Sequence, residues 1–219
     1  MKREDTHVLT ERKPESYISA LAKAWEELTV LEPLDIADRS LATYNEADHE
    51  FTITFFSQDY RIQLEKRVVL DPDGKEARPL IAVLLIHYLA YAKDVIPKGK
   101  LITFRELEGG DVYYDAFTRR AIIPITRTFG QTVESLKEAA KSIQAEEAGH
   151  GDFSLKIMVL PKIPVWVIVW EGDDEVPASS NMLFDATIKE LLPTEDVAVI
   201  GGFVASMLIK NRPKWHDDV

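Results

Sequence analysis

Apolar and polar side chains alternate at every second position in two parts of the chain. The run "EFTITFFSQDYRIQLEK" lies in the first part, and "FSLKIMV" begins the second. Successive side chains of a strand point to opposite faces, so each alternating run predicts a strand with one buried face. The segment "VWVIVW", residues 165–170, is apolar on both faces and predicts a central strand. We therefore expect two antiparallel hairpins, at about residues 50–70 and 152–171.

Helical periodicity accounts for much of the remaining chain. Apolar positions recur at helical spacing from Pro14 to about Leu31. The segment "PLIAVLLIHYLAYA", residues 79–92, is shorter than the roughly 20 apolar residues needed to cross a bilayer, so it predicts a buried helix. Further helices are predicted at 115–129, with a kink or break at Pro124, at 131–148, and after Thr194 to about Lys210.

The order of these elements predicts the fold class. Helices grouped between two hairpins indicate an α+β protein, with a mostly antiparallel sheet packed by several helices. The last predicted helix contains Gly201 and Gly202, each of which costs about 1 kcal/mol relative to alanine, so we expect another element to pack closely there. No linker separates two domains. We therefore expect one domain over residues 14–212, after a disordered polar tail at residues 1–13.

Composition and charge exclude several classes of function. The 219 residues include no cysteine, which excludes disulfides, thiolate metal sites and a cysteine nucleophile. The formal net charge of −11 disfavours binding to nucleic acid and to anionic membranes. The N-terminal residues are charged and lack the apolar core of a signal peptide, so we expect a cytoplasmic protein.

The segment "TFRELEGGDVYYDAF", residues 103–117, has two interpretations. Thr103 and Glu106 have capping-box spacing, and the following glycine pair can adopt left-handed conformations, so the segment is explained as a structural corner. Alternatively, the segment is a ligand site. Backbone N–H groups at the glycine pair then bind an anion together with Arg105, Arg119 and Arg120, although Asp111 and Asp115 oppose an anion, or Tyr113, Tyr114 and Phe117 line an apolar pocket for a planar ligand. The spacing matches neither of the common glycine-rich nucleotide loops.

The segment "WEGDDEVPASSNMLFD", residues 170–185, follows the predicted central strand. Its carboxylates suit a hard cation, but the spacing of a calcium loop is missing, and a solvated acidic loop explains them equally. Asp185 is expected to cap a short helix at 186–192. No histidines have metal-ligand spacing and no GxSxG motif occurs, so the residues predict no metal site and identify no cofactor.

Both segments resemble parts of a known family. Together with "VLLIHYL" and "EDVAVIGGFVASML", they resemble a family of prokaryotic proteins known only as a domain of unknown function. The resemblance covers roughly residues 80–210. Family members are frequent in anaerobic bacteria and archaea, and some carry a four-cysteine iron–sulfur segment before this domain. This chain departs from the family at Val176, where an aromatic residue is expected, and it has no cysteine.

The resemblance implies a context in anaerobic redox or one-carbon metabolism, without an assigned reaction. It also implies a set of candidate ligand-binding residues from both segments. These are Arg105, Glu106, Gly109, Gly110, Tyr114, Phe117, Trp170, Asp173, Glu175, Phe184 and Asp185.

Three functions remain open from the residues. The leading hypothesis is a cytoplasmic accessory or binding module that holds a small molecule or a partner protein in a cleft formed by both segments. In it, Arg105 contacts an anion and Tyr114 with Phe117 forms an apolar wall. The alternative is an enzyme with Glu106 or Asp173 as general base, with or without a divalent cation. The third is that both segments are only corners of the fold.

Overall fold

The computed structural model describes the backbone of residues 14–213 and the side chains of residues 18–213. The predicted tail at residues 1–13 lies outside the described residues. Helices combine with two antiparallel sheets, of four and five strands, so the predicted α+β class is confirmed. The two predicted hairpins lie in different sheets. Within the described residues, no helix is both long and apolar enough to cross a membrane.

Contacts within the chain define two compact units. Among the described residues, unit 1 contains residues 14–96 with the short insertions 160–162 and 190–192, and unit 2 contains residues 97–159, 163–189 and 193–213. That residues 14–212 form one domain stays a prediction.

Unit 1 is a four-stranded meander with three helices. The strands follow one another in the order β1-β2-β3-β4, all antiparallel. Phe51, Ile53 and Ile62 are almost fully buried, so the alternation along the sequence correctly predicts one covered face. The elements are α1 (Pro14–Thr29), α2 (Pro33–Ser40), β1 (Thr43–Asn45), β2 (Glu50–Phe55), β3 (Gln58–Gln63), β4 (Val68–Leu70) and α3 (Pro79–Tyr91).

Helix α3 is the apolar helix predicted at residues 79–92, and it is buried. Its Tyr88 hydroxyl donates a hydrogen bond to the backbone carbonyl of Ser40 at 3.0 Å. Arg39 donates to the carbonyls of Ala90, at 3.1 Å, and Ala92, where the last turn of a helix leaves carbonyl groups without helical partners. The end of α3 is thereby fixed to α2.

Unit 2 is built around the second sheet. Its strand order is β5-β9-β8-β7-β6, which makes β8 a central strand as predicted. Short 3₁₀ turns at Phe104–Glu106 and Ala186–Glu190 follow β5 and β9. The elements are β5 (Leu101–Thr103), α4 (Gly110–Phe117), α5 (Ile123–Phe129), α6 (Val133–Ser142), β6 (Glu146–Ala148), β7 (Phe153–Leu160), β8 (Ile163–Trp170), β9 (Ser179–Asp185) and α7 (Thr194–Lys210).

Helices α4 and α5 are joined by a π-helical turn at Thr118–Ile122. The Ile123 N–H donates to the carbonyl of Thr118, five residues earlier. Proline normally breaks a helix because it lacks an N–H and its ring crowds the preceding turn. Here the wider turn just before Pro124 keeps the backbone helical, and we call residues 110–129 the helical segment. At about 1.5 Å per residue, it is roughly 30 Å long.

Several predicted helix boundaries in this unit are wrong. The helical segment begins at Gly110, not at residue 115. Helix α6 ends at Ser142, not near residue 148, because Gln144 adopts a left-handed conformation with φ of 54° and β6 begins at Glu146. Helix α7 begins at Thr194 itself. The Thr194 hydroxyl does not cap that helix, since it donates to the carbonyl of Glu108 at 2.7 Å.

Candidate functional site

A pair of strands that the sequence pattern did not reveal brings the two segments together. Strand β5 opens the first segment and pairs antiparallel with β9, at the end of the second. Leu101 lies opposite Asp185, and Thr103 lies opposite Leu183. The two segments therefore meet by backbone pairing and by the side chains packed beneath it, and this contact is not the cleft that was expected.

Three phenylalanines form the packed layer under this strand pair. The rings of Phe104 and Phe117 stack with centroids 4.2 Å apart and planes inclined by 4°. Phe184 lies 6.2 Å from Phe117, and all three residues are at most 1% exposed. Phe117 and Phe184 are therefore core residues. Neither forms the accessible wall of a ligand site.

Local hydrogen bonds and close packing fix the chain around Gly109 and Gly110. The Glu106 carboxylate accepts hydrogen bonds from the N–H of Thr103 at 2.7 Å and from its hydroxyl at 3.1 Å, as the capping-box spacing predicts. Gly109 has a left-handed φ of 68°. Gly110 starts α4, and a Cβ atom there would overlap the carbonyl oxygen of Phe104. The left-handed backbone at Gly109 and the close packing at Gly110 thus explain why glycines occupy both positions, without a bound anion.

Arg105 lies at the surface of the same corner. Its guanidinium carbon is 4.0 Å from the centre of the Tyr114 ring, and its Nε is 3.9 Å from the Asp111 carboxylate. Tyr113 is 41% exposed, and its ring lies over Gly109. We call these five residues, Arg105, Gly109, Asp111, Tyr113 and Tyr114, the corner surface.

The second segment turns through an acidic bend, which we define as residues 171–176. The Asp173 carboxylate accepts from the N–H groups of Val176 at 2.7 Å and Glu175 at 2.8 Å, which closes the bend on itself. The N–H of Gly172 donates to the carbonyl of Gly130 at 3.0 Å. Trp170, just before the bend, is 39% exposed.

The exposed parts of the two segments lie at opposite ends of the helical segment. The corner surface surrounds its first residue, Gly110, whereas the acidic bend contacts Gly130, directly after its last residue. A helical segment of this length separates its ends by about 30 Å. Arg105 and Tyr114 therefore lie close together, while Trp170, Asp173 and Glu175 form a separate surface.

Asp185 is buried and has several hydrogen-bond donors. It is 1% exposed, and its carboxylate accepts from the Thr187 hydroxyl at 2.7 Å, the Thr187 N–H at 3.0 Å and the Gly99 N–H at 2.6 Å. Burial alone would raise the pKa of Asp185, but the hydrogen bonds from Thr187 and from the backbone of Lys98 and Gly99 hold that pKa below its usual range. Asp185 directly precedes the 3₁₀ turn at Ala186–Glu190, the position where the sequence predicted a cap.

The geometry does not favour the general-base alternative. Glu106 and Asp173 are both exposed. Hydrogen bonds from the Thr103 N–H and, to a smaller extent, from the Thr103 hydroxyl lower the pKa of Glu106. Hydrogen bonds from the N–H groups of Val176 and Glu175 lower the pKa of Asp173. A general base at neutral pH requires the opposite direction of pKa shift. Across residues 14–213, no group of three histidine, aspartate or glutamate side chains is arranged to hold a metal ion.

Sequence reasoning passed over one exposed residue of helix α4. Val112 is 80% exposed. Its position away from the buried residue Phe117 follows from helical spacing, so a helical-wheel analysis starting at Gly110 would have identified it.

Comparison with known proteins agrees with the resemblance of the two segments. No curated protein and no solved structure matches the chain. A family model matches residues 32–207, which include the strand pair, the helical segment and most of α7. The chain therefore belongs to the family described as domain of unknown function (DUF3786).

Proposed function

We propose that this protein is a binding module that docks a partner protein on its corner surface. The observation that carries the proposal is the exposed stack of Arg105 on Tyr114, in which the arginine side chain is 58% exposed. A cation over an aromatic ring is an energetically favourable arrangement, and it orients the guanidinium for further contacts. Arginine and tyrosine are enriched among the residues that contribute most to protein–protein binding.

The packing beneath the corner surface supports this role. Tyr114 is joined to the buried core through Phe117, with ring centroids 6.5 Å apart. Gly110 packs against the backbone of residues 104–105 without space for a side chain. A surface held this rigidly loses little conformational entropy when a partner binds, which favours affinity.

The setting of the partner follows from the family resemblance. We propose a cytoplasmic partner in anaerobic redox or one-carbon metabolism, because that is the context the resemblance implies. A protein fits the corner surface better than a small molecule does, since Arg105 and Tyr113 are exposed and the phenylalanines behind them are inaccessible. Small ligands are typically enclosed in concave apolar pockets.

Photo-crosslinking identifies the partner and tests the surface. A photoreactive amino acid replaces Tyr113, and a control protein carries it at Trp170, which is similarly exposed but lies at the other end of the helical segment. In extract of the native organism, we expect an adduct from position 113 that unlabelled wild-type protein competes away. Position 170 should not form this adduct.

Direct binding of the purified partner completes the test. The Arg105→Ala substitution should weaken binding at least about tenfold, as expected for a central arginine in an interface. Arg127→Ala is the matched control, because it removes an exposed arginine near the other end of the helical segment. Equal affinities of the wild-type, Arg105→Ala and Arg127→Ala proteins would exclude the corner surface as the binding site.

A further inference from the structure

A regular row of residues occupies the solvent-facing side of the helical segment. Phe117, Ala121, Ile125 and Phe129 are buried on the opposite side. The exposed row recurs at intervals of three or four residues, the spacing of one helix face. We call its first four residues the seam: Val112, Asp115, Arg119 and Ile123.

The seam contains apolar residues and separated charges. Val112 is 80% exposed and Ile123 is partly exposed, although valine and isoleucine are usually buried. Asp115 lies in the first half of the seam and Arg119 in the second. Within the described part of the chain, no ion pair engages these two charged side chains.

The order of residues along the seam is complementary to its own reverse. When two seams run antiparallel about an axis between residues 117 and 118, Val112 faces Ile123 of the second copy. Asp115 then lies within one residue, about 1.5 Å along the helix, of the position opposite Arg119. Helix dipoles also favour an acidic residue towards the start of a helix and an arginine towards its end. They do not explain why Val112 is exposed at the position that faces Ile123.

We infer that a second copy of this chain binds along the seam, with the two helical segments antiparallel. Two-fold symmetry makes every contact occur twice, so each apolar pair and each ion pair is duplicated. Alternating apolar and charged contacts of this kind set register and orientation between paired helices. The seam shares no residue with the corner surface, and Val112 and Tyr113 point about 100° apart around the helix.

Charge reversal tests the pairing of Asp115 with Arg119. Analytical ultracentrifugation should show dimers of the wild-type protein that increase with concentration between about 1 and 500 µM, the range expected for a modest interface. Asp115→Lys alone and Arg119→Glu alone should each give monomers, because like charges then meet. The double variant should dimerise again, and an equimolar mixture of the two single variants should form heterodimers.

Engineered cysteines test the antiparallel register, and the absence of native cysteine keeps the background clean. Mixed Val112→Cys and Ile123→Cys proteins should form a disulfide-linked dimer under mild oxidation. Val30→Cys mixed with Ile123→Cys is the control, because Val30 is also 80% exposed. It should form little of this product.

The possible results distinguish the inference from the proposed function. A wild-type protein that stays monomeric throughout the concentration range overturns the inference, as does equal crosslinking of Val112→Cys with itself, which indicates parallel helices. Either result leaves partner binding at Arg105 and Tyr113 unaffected. Failure of the double charge reversal to restore dimers also contradicts the stated register.

Discussion

The Asp185 carboxylate stabilises the fold through hydrogen bonds, although a ligand-binding carboxylate was expected at this position. It pairs with Leu101 through the backbone, and its side chain fixes both the Thr187 turn and Gly99. A buried carboxylate is costly unless hydrogen bonds compensate for the lost hydration. The donors around Asp185 provide this compensation, so its conformation is determined without a ligand.

The substitution Asp185→Asn should therefore destabilise the protein by about 1–3 kcal/mol at pH 7, the range for leaving buried polar groups unsatisfied. The folded-state pKa of Asp185 lies below the reference value of 3.8, so ionisation of Asp185 stabilises the folded state. This contribution is present above the unfolded-state pKa and is lost as the pH falls through the folded-state pKa. The stability difference between wild type and variant should shrink below about pH 4.

Urea unfolding at pH values between 7 and 3 measures this difference. Asp174→Asn is the control, because Asp174 is an exposed carboxylate in the same unit. Exposed substitutions usually change stability by less than about 0.5 kcal/mol. A stability difference for Asp185→Asn that stays constant over the whole pH range would contradict the role of its ionised form.

Elements with strong hydrophobic periodicity were predictable from the sequence. The alternation in β2 and β3, and the apolar runs of β8 and α3, decide their type without reference to distant residues. Strands β5 and β9 were missed because β5 has only three residues and its partner lies about eighty positions away. Tertiary pairing creates such strands, and local pattern does not reveal it.

In the candidate site, too, contacts between neighbouring residues were predictable from the sequence and contacts that depend on the tertiary fold were not. The capping box of Thr103 and Glu106 was predicted because both partners lie within one turn. The stack of Arg105 on Tyr114 requires the left-handed Gly109 to direct α4 back over the preceding turn. The distance between the corner surface and the acidic bend depends on the continuity of the helical segment, which Pro124 had been expected to kink or break.

Close packing between α7 and the helical segment gives a prediction about two elements. A Cβ atom at Gly201 would overlap the ring of Phe117 and would lie 3.3 Å from the Cβ of Ala121. The Phe117 ring cannot move freely because it stacks on Phe104. Although alanine favours helices over glycine, Gly201→Ala should reduce stability by about 1–2 kcal/mol, within the range for overpacked cores.

Thermal or urea unfolding of Gly201→Ala measures this effect, with Ser206→Ala on the exposed side of α7 as the matched control. Ser206→Ala should be neutral or slightly stabilising, since only helix propensity changes. In the background of Phe117→Leu, which provides space, Gly201→Ala should cost less than it does alone. Additive effects of the two substitutions would show that the ring of Phe117 does not cause the destabilisation.

At the scale of the whole molecule, each compact unit is built from several separate stretches of the chain. Residues 160–162 are the tip of the β7–β8 hairpin, yet by their contacts they belong to unit 1. There, Lys162 is 3% exposed, donates to the carbonyl of Lys93 at 3.3 Å and lies 3.6 Å from Asp94. Unfolding of the hairpin would therefore withdraw a buried side chain from unit 1.

This connectivity predicts that the units unfold in one cooperative transition, as expected for a single domain over residues 14–212. Replacement of Trp166, Trp170 and Trp215 by phenylalanine leaves Trp25, which is 3% exposed in unit 1, as the fluorescent probe. Introducing Gly201→Ala into unit 2 of this variant should lower the urea midpoint reported by Trp25, and far-UV circular dichroism should report the same midpoint. An unchanged Trp25 midpoint beside a lower midpoint in circular dichroism would mean that unit 1 unfolds independently, because the destabilisation would then be confined to unit 2.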